Sequence, residues 1–246
     1  SVLLIIFSIF SLSYQGLNLG IDFTGGTLVE VGYPETVDLD SVRQSFSNSD
    51  FSNAVIQYFG SAKEILIRIP PKQGLNSADI SSRILELISA DNSNAKMRRV
   101  EFVGPQVGEE LREDGGLAML YALLCIMVYV AFRFQMRFSV GAVAALIHDV
   151  VITLGFFSFT RLNFDLTILA ALLAVIGYSL NDTIVVFDRV RENFRKIREK
   201  TPVDVFNISL NQTLRRTLMT SFTTLLVLLA LFFLGGEIIH GFSMAL

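Results

Sequence analysis

Four apolar runs of membrane length decide what this chain can fold into. They are GLAMLYALLCIMVYVAFRF (Gly116–Phe134), SVGAVAALIHDVVITLGFFSF (Ser139–Phe159), LTILAALLAVIGYSLNDTIVV (Leu166–Val186) and TLRRTLMTSFTTLLVLLALFFL (Thr213–Leu234). A membrane-spanning helix needs about 20 predominantly apolar residues, and each run meets that length. Composition agrees: 17% of the residues are charged, against about 25% in soluble domains. A net charge of -3 gives no reason to expect nucleic acid as a partner. Cys125 is the only cysteine, so the chain holds no internal disulfide framework or cysteine metal site. His148 and His240 are far apart in sequence, which speaks against a metal site.

The first residues, SVLLIIFSIF, lack a basic n-region and a cleavage pattern. They read as the end of a first membrane helix (1–15), not as a signal peptide. Gly235–Gly241 reads as a turn, and the closing GFSMAL as the apolar start of a sixth span (242–246). The expected fold class is therefore a six-span α-helical membrane protein whose first and last spans are cut short.

Between the first two spans, residues 16–115 change character, with frequent charges and no run of membrane length. TLVEVGY alternates as a strand does. DLDSVRQSF has an acidic start and spaced Leu39, Val42 and Phe46, which favours a helix. AVIQYFG and EILIRIP read as strands joined by a hairpin turn over Gly60–Lys63. NSADISSRILELISAD is an amphipathic helix with Ser77 as a candidate cap and Ile80, Ile84, Leu87 and Ile88 on one stripe. MRRVEFV supplies a last strand. The order β-α-β-β-α-β predicts a ferredoxin-like α+β domain, with one sheet face left free for a partner or simply forming a spacer.

Lys and Arg in the short loops set the orientation. The polar segment 187–212 carries Arg189, Arg191, Arg195, Lys196, Arg198 and Lys200, and Arg133 and Arg137 flank the second span. The loop after the third span has only Arg161. Segment 187–212 is therefore expected to be cytoplasmic, and domain 16–115 extracytoplasmic. The charged residues Asp188, Arg189, Arg191 and Glu192 fit this rule without a further role.

Inside the spans, several polar groups cost too much for lipid-facing positions; an acid at a helix centre costs roughly 2.5–3.5 kcal/mol on insertion scales. His148 and Asp149 lie mid-span, Asp149 roughly 15 Å from the start of its run at 1.5 Å per residue. Asp182 lies roughly 10 Å from the charged end of its span by the same rise. Tyr178, Ser179 and Asp182 share a face, with Asn181 beside them, and Arg216, Thr220 and Thr223 or Thr224 share another. Three polar stripes suit the inside of a bundle. The plainer readings are that Arg216 snorkels, that the threonines pack, and that His148 makes one structural hydrogen bond.

These residues resemble a known family. GIDFTGGTLVEV (Gly20–Val31) resembles the glycine signature after the first span of the SecD/SecF family. VEFVGPQVGEEL (Val100–Leu111) resembles the lead into the second span. HDVVITLG (His148–Gly155), VIGYSLNDTIVVFDRVREN (Val175–Asn193) and SLNQTLRRTLMTS (Ser209–Ser221) resemble spans three to five. The Asn181-Asp182 pair and the Arg-Thr of the fifth span favour the SecF branch. The resemblance implies a half of resistance-nodulation-division type that pairs with SecD in the bacterial cytoplasmic (inner) membrane. It implies assistance to the SecYEG channel and, indirectly, the ATPase SecA, with unfolded preprotein as cargo and membrane lipids around it. The proton-motive force is the implied drive, with protons as coupling ion, no other cofactor and no enzyme activity. Asp182 and Arg216 are the implied proton-coupling residues, with His148, Asp149, Ser179, Asn181 and Thr220 as intramembrane support. Asp22, Gly25 and Gly26 form the signature turn. A phosphate loop is excluded there, since no Lys-Ser/Thr follows the glycines; the glycines more plausibly permit a tight entry into the first strand, with Asp22 capping or bracing it. Two other readings stand beside export. One is a scaffold without proton flux, in which Asp182 and Arg216 form a permanent pair. The other is a small-molecule efflux subunit, which the single outer domain disfavours.

Overall fold

The computed structural model describes residues 1–47, 49–71, 77–91, 95–133, 136–197 and 199–246, with 77–79, 89–91, 136–137 and 237–238 described by their backbone alone. The candidate cap Ser77 and the flanking Arg137 and Arg198 thus lie outside what is described of side chains. The chain divides into two compact units, Leu19–Gly116 and a membrane unit of Ser1–Asn18 with Leu117–Leu246.

In the first unit a short helix α1 (Ile21–Thr24) leads into β1 (Gly26–Gly32), then a helix α2 (Leu39–Ser47), strands β2 (Val55–Phe59) and β3 (Ser61–Ile69), a helix α3 (Ser77–Asp91) and β4 (Lys96–Val103). The sheet order is β2-β3-β1-β4, and every neighbouring pair is antiparallel. The register sets Val29 opposite Ile67 and Val31 opposite Ile65. Alternation sends those four side chains to one face, where they are fully buried. Val42 and Phe46 of α2 and Ile80, Ile84 and Ile88 of α3 close over them in one cluster, with Leu87 partly buried at its edge. Each such side chain contributes about 1.5–3 kcal/mol by leaving water, so the sheet and its two helices stabilise each other. Tyr58, Val100 and Phe102 remain exposed. The hairpin is tighter than the spacing suggests: Phe59 pairs with Ser61 around Gly60 alone, at φ 70, and residues 61–63 already belong to β3.

The signature glycines have a steric reason. Gly25 and Gly26 adopt φ 69 and φ 124, in the range that side chains disfavour. A Cβ on Gly25 would lie 2.7 Å from the Cα of Pro105, and one on Gly26 would strike the carbonyl oxygen of Ile69. Gly108 returns the fit, since a Cβ there would lie 2.6 Å from the Gly25 nitrogen. The turn is thus clamped between the sheet and the helix that starts at Pro105. Asp22 sits in the first turn of α1.

That helix, α4 (Pro105–Arg133), is followed by α5 (Met136–Thr160), α6 (Leu166–Lys196) and α7 (Pro202–Leu234). All four are long and apolar enough to cross a membrane. A shorter apolar helix, α0 (Val2–Gln15), precedes the first unit, and α8 (Glu237–Ala245) closes the chain. Three helices outrun the apolar patterns. α4 starts at Pro105 rather than Gly116, with proline in the first helical position where its missing N–H costs nothing. The polar segment 187–212 is mostly helix: α6 continues to Lys196, and α7 starts at Pro202 behind a Thr201–Asp204 capping box. Likewise, the turn expected over 235–241 shrinks, because α8 begins at Glu237 after Gly236.

Small residues let the membrane helices approach. A Cβ on Gly155 of α5 would run into Ser8 of α0, and Ser11 meets Ser158 through hydroxyls 2.9 Å apart. On the other side of α5, Leu146 and Val150 pack with Ile176 of α6. Asp165 caps α6 by accepting from the Ile168 amide at 3.0 Å.

Candidate intramembrane site

The polar stripes meet at two levels of the bundle. At the first, α5 presents His148 and Asp149 on consecutive residues, and α6 brings Ser179 opposite. The Ser179 hydroxyl donates to Asp149 Oδ2 at 2.6 Å. His148 Nδ1 lies 2.9 Å from Asp149 Oδ1. Both carboxyl oxygens of Asp149 are therefore engaged, one of them across a helix interface. Thr153 bonds back to the Asp149 carbonyl at 2.9 Å, and Thr183 to that of Ser179 at 3.1 Å, so neither threonine competes for the carboxylate. The expected support residues His148, Asp149 and Ser179 thus form one node.

Asp182 lies three residues further along α6, on the same face as Ser179, and is half-buried. Among the described residues, neither Asp182 nor Arg216 makes an ion pair or a side-chain hydrogen bond. The permanent Asp182–Arg216 pair of the scaffold reading is not present among the described ion pairs. Arg216 is exposed on α7 and lines a polar cleft beside the charged end of α6. Asn181 is exposed, and the Thr220 hydroxyl is spent on its own helix, donating to the Thr217 carbonyl at 2.9 Å.

The second level was not anticipated. Asn193 of α6 is 5% exposed. Its amide donates to the Ser209 hydroxyl at 2.8 Å and to Gln212 Oε1 at 2.9 Å, tying α6 to α7. The Ser209 hydroxyl in turn donates a hydrogen bond to the Val205 carbonyl at 2.7 Å. Around this clamp, Arg133 pairs with Asp188 at 2.9 Å, while Arg189 and Lys196 both reach Glu192, at 2.8 Å and 2.6 Å. The charges read as a solvated helix end form a cleft of about 910 Å³ with Gln212, Thr213 and Arg216. A usable signal was present in Thr201-Pro202-Val203-Asp204, which announces a helix start ahead of the apolar run.

A family model described as "Protein export membrane protein SecD/SecF, C-terminal" matches residues 84–246, and one described as "SecD/SecF GG Motif" matches 10–33. A protein translocase subunit SecF of Vibrio alginolyticus is 52% identical over 247 residues, covering 100% of this chain and 78% of that protein. Its namesake in Pseudomonas aeruginosa is 51% identical over 233 residues, covering 94% and 75%. Among solved structures, the crystal structure of SecDF, a translocon-associated membrane protein from Thermus thermophilus, superposes with a TM-score of 0.90 at 40% identity. That match covers 99% of this chain and 33% of the longer SecDF chain, so the present chain spans about a third of that protein's length. The chain belongs to the SecD/SecF family of protein-export membrane proteins.

Proposed function

We propose that this chain is the SecF part of a SecD–SecF assembly that uses the proton-motive force to promote preprotein translocation and release across the bacterial cytoplasmic membrane, beside SecYEG and the ATPase SecA. It acts without a cofactor or enzyme chemistry, and protons are the coupling ion. The observation that carries this reading is the contrast inside the bundle: Asp149 is held by two partners, whereas the half-buried Asp182 has none among the described residues. A structural acid is fixed by its hydrogen bonds; a carrier must be able to gain and lose a proton.

In this reading the described arrangement is the released one, with Asp182 neutral and Arg216 withdrawn to the cleft. Deprotonation recruits Arg216 to Asp182, and reprotonation frees it. A membrane potential supplies about 2.3 kcal/mol per charge per 100 mV, enough for a few protons to bias a two-state movement of an outer domain. We read that domain, 16–115, as ferredoxin-like from its element and strand order. It faces outward, and the Arg-rich end of α6 faces the cytoplasm. Spans one and six complete a six-span half in the whole protein. Asp149, His148 and Ser179 brace α5 against α6.

Export driven by an imposed proton gradient tests this. Asp182→Asn is expected to abolish the stimulation by the gradient at normal protein level, and retained stimulation would refute the proposal. The scaffold reading draws on the Asn193 clamp. The charge swap Asp182→Arg with Arg216→Asp separates the two, since a scaffold tolerates it and a proton carrier does not.

A further inference from the structure

The cleft beside the charged end of α6 carries six cationic side chains against two carboxylates. Asp188 and Glu192 satisfy Arg133, Arg189 and Lys196. Three guanidinium groups face the cleft without a carboxylate: Arg191, Arg195 and Arg216. Arg191 Nε is buried with no hydrogen-bond partner, while its Nη1 only grazes the Arg133 carbonyl at 3.5 Å. A buried donor left open is costly, and an arriving oxyanion would recover that cost. Arginine forks match phosphate oxygens in particular.

The wall of the cleft is amphipathic. Ile184 and Val185 line one end, and the charged residues begin one helical turn further along α6. This is the level at which an apolar span gives way to water, where lipid headgroups lie. Basic pockets between membrane helices suit anionic headgroups. A free phosphate would use the cations alone; a phospholipid uses the apolar rim as well.

We propose that this cleft binds the phosphate of an anionic glycerophospholipid, with the guanidinium groups of Arg191 and Arg195 as principal ligands and Ile184 and Val185 against the glycerol end of the acyl chains. The bound lipid neutralises charge between α6 and α7 and fills the space beside the Asn193 clamp.

The test is native mass spectrometry of the full-length protein copurified with its membrane partner, titrated separately with cardiolipin, phosphatidylcholine and inorganic phosphate. Cardiolipin is expected to be retained at least about tenfold more strongly than phosphatidylcholine. With about fivefold per cation near an anionic headgroup, Arg195→Gln is expected to weaken retention about fivefold and Arg191→Gln with Arg195→Gln about 25-fold. Arg195 is exposed and unpaired among the described residues, so its single variant remains informative if the double variant fails to fold. Arg195→Lys should restore only part of the binding, since it returns the charge without the bidentate fork. Equal retention of phosphatidylcholine, or cardiolipin binding unchanged in Arg195→Gln, overturns the site. Inorganic phosphate bound as tightly as cardiolipin overturns the lipid assignment, as does a cleft occupied only by an acidic polypeptide.

Discussion

Asp149 and Asp182 are both half-buried acids on membrane helices, yet their surroundings differ in kind. Asp149 is a closed node: a serine from the next helix and the adjacent histidine occupy its two oxygens. Asp182 is an open position, with its expected arginine standing in a polar cleft. The difference teaches that a costly membrane acid need not signal the same work twice. Where partners are supplied from a neighbouring helix, the acid glues the bundle. Where no partner is supplied, as at Asp182, the side chain meets the requirement of the proposed proton carrier, which must not be fixed by permanent bonds.

Breaking the closed node should cost the most stability. Asp149→Leu orphans the Ser179 hydroxyl and the His148 ring nitrogen, and a loss of about 1–3 kcal/mol is expected, read as a lowered unfolding midpoint in detergent. Asn193→Ala removes the clamp between α6 and α7, leaving the buried Ser209 with only its own-helix bond to Val205 and Gln212 Oε1 without the Asn193 donor. We expect about 1–2 kcal/mol by the same measurement, with proteolysis accelerating near 197–201. Ser179→Ala is milder, about 0.6 kcal/mol, the average for hydrogen bonds between membrane helices. At the bottom of the order, Asp182→Asn should shift stability by less than about 0.5 kcal/mol, since no contact is lost. If Asp182→Asn destabilises as much as Asp149→Leu, the two positions are alike and the contrast collapses.

The Leu19–Gly116 unit was largely legible because its signals are local and periodic. Alternating Val29, Val31, Ile65 and Ile67 fixed which face is buried, and the Ile80–Ile84–Ile88 spacing placed its helix on that face. The four spans were equally plain from their apolar length. Their ends were not, because an apolar pattern stops where lipid stops, while helical hydrogen bonding continues into water. Hence α6 and α7 extend through 187–196 and 202–212, where only caps mark the boundaries. Each member of the Asp149–Ser179 node was nominated from sequence, but the bond between them depends on the relative height of two helices, which residue spacing on either one does not encode. The same gap explains why Asp182 and Arg216, both singled out, are not in contact. Asn193 was passed over because it sits among charges that satisfy the positive-inside rule without any structural work.

The central claim is that Asp182, not Asp149, changes protonation. Infrared difference spectra of the full-length protein in liposomes, taken between acidic and alkaline medium, read protonated carboxyl groups directly. The account predicts a carboxyl band that disappears in Asp182→Asn and survives in Asp149→Asn. A band that persists in Asp182→Asn and vanishes in Asp149→Asn would contradict it.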